Sequence, residues 1–343
     1  MSTAANEPIA TAGATAKTKS GLRGFLGTAF GLNLGLIIAL LLLAIVGFAT
    51  GGERFLSIDN ILTILRLGSV IGVVSVGMTF VISGGGIDLS VGAIVALSTV
   101  WATTLATQTM AADIHWIVMV FTAVAVGAGC GAINGVLIAF GRVAPFIATL
   151  AMLAAARGMA EIIAQRKTQI VQDRDFIDFF GGNVVGIPVL VIIFALVAVI
   201  GWILLNRTTF GRRTLAVGGN AEAARLAGIR INWHTALLYV LLGVACGIAA
   251  VMLMARTTTG TSTHGQLYEL DAIAAVVIGG TLLTGGRGTI VGTVLGVLIF
   301  TTLTNVFTLN NLDTSTQAVA KGAIIIVAVL LQQRVAERHS SSG

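Results

Sequence analysis

The stretch SGGGIDLSVGAIVAL, Ser83 to Leu97, puts three glycines and one carboxylate between two apolar runs. Glycine tolerates backbone conformations that other residues resist, so Gly84, Gly85 and Gly86 let one helix end and another begin. Asp88 then stands just ahead of Leu89, Ser90 and Val91, where a carboxylate can accept the free N–H groups of a first helical turn. A charge in this company reads in two compatible ways. It caps the restarting helix, or it lines a polar cavity, as non-helical backbone at membrane depth must.

Working outward, the apolar runs dominate the chain. Of 343 residues, 56% are hydrophobic and 10% charged, with a mean hydropathy of +0.98. A soluble domain carries roughly 25% charged residues, so this chain lacks the polar surface to cover a water-exposed globule and reads as an all-α polytopic membrane protein. Its 43 glycines suit closely packed membrane helices. With only three prolines, helix breaks fall mainly to glycine. The net charge of +6 lies in the gaps between apolar runs, which argues for membrane topology and against a nucleic-acid partner. Cys130 and Cys246 each sit inside an apolar run and read as buried thiols.

Segments long enough to cross a bilayer, about 20 apolar residues, suggest ten spans with glycine-broken segments among them. They fall near residues 32–50, 68–83, 87–107, 115–140, 144–164, 185–205, 235–255, 270–283, 289–307 and 317–331. The first run is longer than the core of a signal peptide and is expected to stay as a helix. With the N-terminus inside, twelve Lys and Arg fall on the cytoplasmic side, and seven (Arg54, Arg66, Arg166, Lys167, Arg174, Arg256, Lys321) fall outside. That asymmetry favours N-in and C-in. The chain then divides into a cytoplasmic tail over 1–30, one transmembrane domain over 31–333 and a cytoplasmic tail over 334–343. Two connections are long: an outer loop of mixed charge, 165–184, and a cytoplasmic one, 206–234. The latter holds a short helix from Ala221 to Ala227, with Asn220 as N-cap and Gly228 as its stop.

No enzyme constellation stands out. The glycine-rich GGTLLTGGRG, Gly279 to Gly288, lacks the Lys-Ser/Thr pair of a phosphate loop, and the four histidines show no metal-ligand spacing. No catalytic residue, metal or cofactor is expected in this chain. Arg157 and Glu161 stand four apart in the fifth span, as an internal salt bridge or as part of a proton relay. A second broken region, YELDAIAAVVIGGTLLTGGRG, begins with Glu269 and Asp271 at an expected membrane boundary. Paired broken segments mark the transport route in duplicated transporters. A weak echo, GAINGVLI from Gly131 against GTVLGVLI from Gly292, fits such a duplication. Asn134 and Asn305 are helix–helix hydrogen-bonding groups or substrate ligands.

GMTFVISGGGIDLSVGAIVAL, GRVAPFIATLAMLAAARG, TTFGRRTLAVGGNAEAARLAGI and YELDAIAAVVIGGTLLTGGRGTIVGTVLGVLI, in this order, closely resemble the permease subunits of ribose-type bacterial sugar ABC importers. The resemblance runs from about Phe55 to Leu331. It implies a plasma-membrane (inner-membrane) core of two permeases, identical or different, an ATPase with two fused cassettes that binds ATP and magnesium, and an external sugar-binding protein. It also implies that Glu222, Ala223, Ala224, Arg225 and Gly228, with the capping Asn220, form the loop helix that docks on the ATPase. The Ile-x-Leu-Pro run that follows this helix in many permeases is absent here. Gly84, Gly85, Gly86, Asp88, Ser90, Asn134, Glu269, Asp271 and Asn305 are then candidates for the pathway or its gate. The competing reading is an ion-coupled secondary transporter of a small polar solute, which would depend on membrane carboxylates such as Glu161.

Overall fold

A computed structural model describes residues 29–324 and 326, with side chains from residue 33 onward. Both expected tails, 1–30 but for its last two residues and 334–343, lie outside the described residues, as does most of the last span beyond residue 324. The order begins α1 (Ala29–Gly51), α2 (Glu53–Leu56), α3 (Ile58–Ser83), α4 (Val91–Ala102), α5 (Leu105–Asp113), α6 (Ile117–Ala139) and α7 (Pro145–Ala164). Then come β1 (Gln169–Ile170), α8 (Arg174–Gly181), β2 (Asn183–Val184), β3 (Ile187–Pro188), α9 (Val189–Arg207), α10 (Thr209–Gly219) and α11 (Ala221–Leu226). The chain continues through α12 (Ile231–Thr257), β4 (Thr259–Gly260), α13 (Tyr268–Ile278) and α14 (Ile290–Leu309), and is helical again from 314.

Seven of these helices are long and apolar enough to cross a membrane: α1 from Asn33, α3, α6, α7, α9, α12 and α14. The expected third span is two helices, α4 and α5, bent by 56°. The bend has a local cause. Thr103 and Thr104 turn their hydroxyls back onto the carbonyls of Thr99 and Trp101, and the Thr104 hydroxyl then caps α5 by accepting from Thr107 N–H. The expected eighth span, 270–283, is also corrected. Its helix α13 has 11 residues, about 16 Å of rise, which is too short to cross. Gly279 and Gly280 end it before Leu282 and Leu283 can extend the apolar run.

The centre of the bundle is α4 with α3 from Gly68 onward and α12 from Leu238 onward, where most side chains are buried. α12 lies along α6 with glycines on both sides of the contact. A Cβ on Gly131 would run into the Tyr239 carbonyl, and one on Gly243 into the carbonyl of Gly127. The two halves of the sequence echo share this use. Gly131 and Gly135 admit α12, as Gly292 and Gly296 admit α13. By contrast α1 keeps Ile38, Leu41, Leu42 and Ile45 exposed, the surface of a helix solvated by lipid.

The long connection 165–184 is not a solvated loop. α8 buries Phe176 and Phe180, and both rings meet Trp116 edge to face. β1 joins β4 antiparallel, Gln169 opposite Gly260. After β4 the chain turns back along α4. Gly260 lies against Thr103, and Gly265 lies against Gly92, eleven residues earlier on α4 and about 16 Å along it. α13 therefore starts beside Gly92 and not beside Thr103, with Glu269 and Asp271 in its first turn.

Candidate translocation cavity and coupling surface

The break after α3 is built by its own hydrogen bonds. Gly84 N–H donates to Phe80 O, Gly85 N–H to Ile82 O and Gly86 N–H to Val81 O, closing the helix with Gly85 at φ +84°. The chain then runs extended to Ser90, the N-cap of α4. Asp88 is not a cap for the first-turn amides. Its Oδ1 accepts from Ser90 N–H at 2.7 Å and from Ser90 Oγ at 2.5 Å, which ties down the capping residue instead. Asn134 on α6 reaches across, its Nδ2 donating to Asp88 Oδ2 at 3.3 Å and to Ser90 Oγ at 3.0 Å. All three side chains are buried. Asp88 has no ion-pair partner among the described residues.

The second break, 279–289, folds into a small loop in which Leu282 N–H donates to Arg287 O. Its tip meets the first break: Gly286 N–H donates to Ser83 O at 2.9 Å. A third glycine segment completes the contact. A Cβ on Gly285 would lie 3.0 Å from Gly85 Cα and 2.7 Å from Gly218 O, and one on Gly218 would strike Ser83 O. Three backbones thus pack with no side chain between them. A cavity of about 350 Å3 opens beside them, lined by Gly84, Gly86, Asn220, Leu238, Tyr239 and Thr284 among others.

Gly218 and Gly219 end α10, and Asn220 begins α11. The Asn220 side chain accepts from Ala223 N–H at 2.9 Å. Gly228, at φ +82°, donates to Arg225 O, and Ile229 N–H returns to Ala224 O, as in a Schellman stop. Glu222 and Arg225 form an exposed pair, with Nη2 to Oε1 at 2.6 Å and Nε to Oε2 at 3.0 Å. Arg225 thereby holds the Glu222 carboxyl below its usual range. Ala224 is buried, whereas Leu226 is 76% exposed. The short helix thus presents a cap, an ion pair and a bare leucine on its exposed side.

The other sequence candidates lie elsewhere. Asn305 on α14 and Asn60 on α3 exchange two amide hydrogen bonds, 3.1 and 2.7 Å, so Asn305 joins helices. The Arg157–Glu161 pair does not form. Arg157 donates instead to the carbonyls of Ser262 and His264, while Glu161 meets Arg166 at 3.4 Å. The carbonyls of the returning segment take the guanidinium that sequence spacing assigned to a carboxylate one turn away. Glu269 lies close to Gly92, so that its Oε2 would be 2.8 Å from an added Cβ. Asp271 binds Lys321, 3.3 Å from each carboxylate oxygen, and Lys321 also sits 5.0 Å over the Phe300 ring. Lys321, counted among outer-loop charges on sequence, is inside the last helix. Its position among mostly apolar helical residues was the available signal.

Residues 60–329 match the family model described as "Branched-chain amino acid transport system / permease component". The chain is 42% identical over 303 residues to a ribose import permease protein of Bacillus subtilis, covering 88% of this chain and 91% of that one. It is 39% identical to the ribose import permease protein of Escherichia coli K12 over 93% and 99% of the two chains. It is also 39% identical to an L-arabinose ABC transporter permease protein of Azospirillum brasilense, over 81% of each. No solved structure matches it. With a glycine-broken helical core, a capped helix between α10 and α12, and similarity along nearly its whole length, the chain belongs to the ABC importer permease family and, within it, to the ribose-type sugar permeases.

Proposed function

We propose that this multi-pass plasma-membrane protein forms the translocation pathway of an ABC importer for a neutral monosaccharide, working as one of two permease copies. An external binding protein delivers the sugar. A cytoplasmic ATPase with two fused cassettes holds ATP and magnesium and docks on α11. In this reading the chain crosses the bilayer ten times with both ends inside. The α4–α5 pair makes one crossing, and α13 with the loop around it makes another.

The observation that supports this most is the contact of the Gly85, Gly218 and Gly286 segments, with Gly218 two residues before the α11 cap Asn220. Movement of α11 by the ATPase reaches both helix breaks directly, through backbone and not through flexible side chains. The breaks would part at the cytoplasmic end and open the route past Gly84 to Gly86. Asp88, Ser90 and Asn134 hold the start of α4 in register while this happens. The bare Leu226 and the Glu222–Arg225 pair supply the ATPase contact.

The test is sugar uptake by the assembled importer in proteoliposomes, using Glu222→Lys and Gly228→Val variants. Loss of the ATPase on co-purification, together with loss of uptake and normal membrane insertion, is the expected outcome. Full uptake by both variants would sink the docking assignment.

A further inference from the structure

We propose that Asp271 and Lys321 form a hydroxyl-binding station on the sugar's route, at mid-depth in the bundle. This inference rests on the transport reading above. Phe300, beneath the Lys321 ammonium, is the eleventh of the 20 residues of α14, so the pair lies about 15 Å from either end of that helix. A charged pair at that depth cannot face lipid cheaply and belongs on water or protein.

The surroundings agree. The pair opens on a cavity of about 510 Å3, whose lining includes Gln266, Thr314 and Gln317 beside the two charges. That volume lies within the range of roughly 300–1,000 Å3 common for small-molecule sites. The side chains of Lys321 and Asp271 retain 20% and 13% of their exposure, and that exposure is towards this cavity.

The chemistry selects a class of ligand. A closed ion pair would sit at about 2.7–2.9 Å, whereas the ammonium here is 3.3 Å from both oxygens. Each partner keeps unused capacity: protons on the ammonium, lone pairs on the carboxylate. A vicinal diol can answer both, one hydroxyl accepting from Lys321 and its neighbour donating to Asp271. The site carries no net charge, so an anion meets the carboxylate and a cation meets the ammonium. Neutral polyhydroxylated molecules escape both penalties. A pair serving only to join α13 to the last helix could be replaced by apolar residues at little cost.

The experiment uses the complete importer in proteoliposomes, with D-ribose, D-allose and L-arabinose as probes. Asp271→Asn and Lys321→Gln are each expected to lower uptake about tenfold or more, as a buried charge without its partner would. They should also alter the rank order of the three sugars, with the ATPase still bound. The charge-exchanged double variant, Asp271→Lys with Lys321→Asp, should restore assembly but not the order of preference. Full recovery of uptake and order by that variant overturns the proposal, as does normal uptake by the single variants. If the single variants fail to assemble, Gln317→Cys in the otherwise unchanged importer decides. Labelling by a water-soluble maleimide that D-ribose suppresses supports the station, and a thiol that stays unlabelled overturns it. Failure of the docking assignment would show separately, as normal uptake by the Glu222 and Gly228 variants.

Discussion

Gly286 donates its backbone N–H to the carbonyl of Ser83, at 2.9 Å, and Gly218 packs on both residues. A methyl group on Gly218 would displace the Ser83 carbonyl or break this bond. Gly218→Ala is therefore expected to cut uptake at least about tenfold while insertion and ATPase binding persist. Gly129→Ala, where a Cβ meets nothing within 4 Å, is the matched control and should transport normally. Uptake of labelled sugar by the two reconstituted variants makes the comparison.

The Asp88 cluster predicts an ordered series. Asp88→Asn keeps an acceptor for Ser90 N–H, and Asn134 can turn its Oδ1, which has no hydrogen-bond partner, towards the new amide. Asp88→Ala leaves the Ser90 N–H and hydroxyl donors buried without their acceptor, at about 1–3 kcal/mol for each group, and leaves Asn134 only its bond to Ser90 Oγ. Thermal unfolding in detergent should rank wild type and Asp88→Asn together, well above Asp88→Ala. Equal loss in both variants would mean that the charge itself is needed.

At α11 the cap and the ion pair separate by measurement. Asn220→Ala removes the acceptor of Ala223 N–H, a change typically worth about 1 kcal/mol. Amide exchange over 221–227 should then speed up roughly fivefold. The Glu222 carboxyl titrates below its ordinary value because Arg225 donates to it. The pair's contribution is accordingly present above the ordinary glutamate pKa, about 4.3, and fades as pH falls through the lower folded value. Co-purification of the ATPase should be indifferent to Glu222 between pH 8 and 5.

Arg157 spans from α7 to the returning segment by donating to Ser262 O and His264 O. Arg157→Met keeps the stem and drops both bonds, so hydrogen exchange should rise across 259–267 and stay unchanged in α3. A uniform rise would point to general destabilisation.

Membrane class and most helices were legible from composition and run length, because a bilayer demands apolar stretches whatever they pack against. Ser83 was rightly read as the end of one helix, since Gly84 to Gly86 stop it locally. The expected fifth span, 144–164, matches α7, which begins at Pro145. What escaped was decided by partners distant in sequence. Arg157 looked committed to Glu161 until the carbonyls beyond residue 260 came within reach. Lys321 was legible as a charge but not as the neighbour of Asp271. The depth of α13 depends on a segment that doubles back along α4, and no local pattern announces that. The outer loop concealed a packed helix because Phe176 and Phe180 find Trp116 only in three dimensions.

The glycine contact between α6 and α12 has a mechanical consequence. With carbonyls of one helix pressed on the Cα atoms of the other at Gly127, Gly131 and Gly243, the pair cannot slip and turns as one shaft. α12 starts five residues after α11 ends, so under the proposed docking a torque applied at α11 would enter this shaft at Ile231. It would leave at Asn134, on the Asp88 carboxylate. In the proposed coupling the buried polar cluster would then be the output end of a lever whose handle is α11.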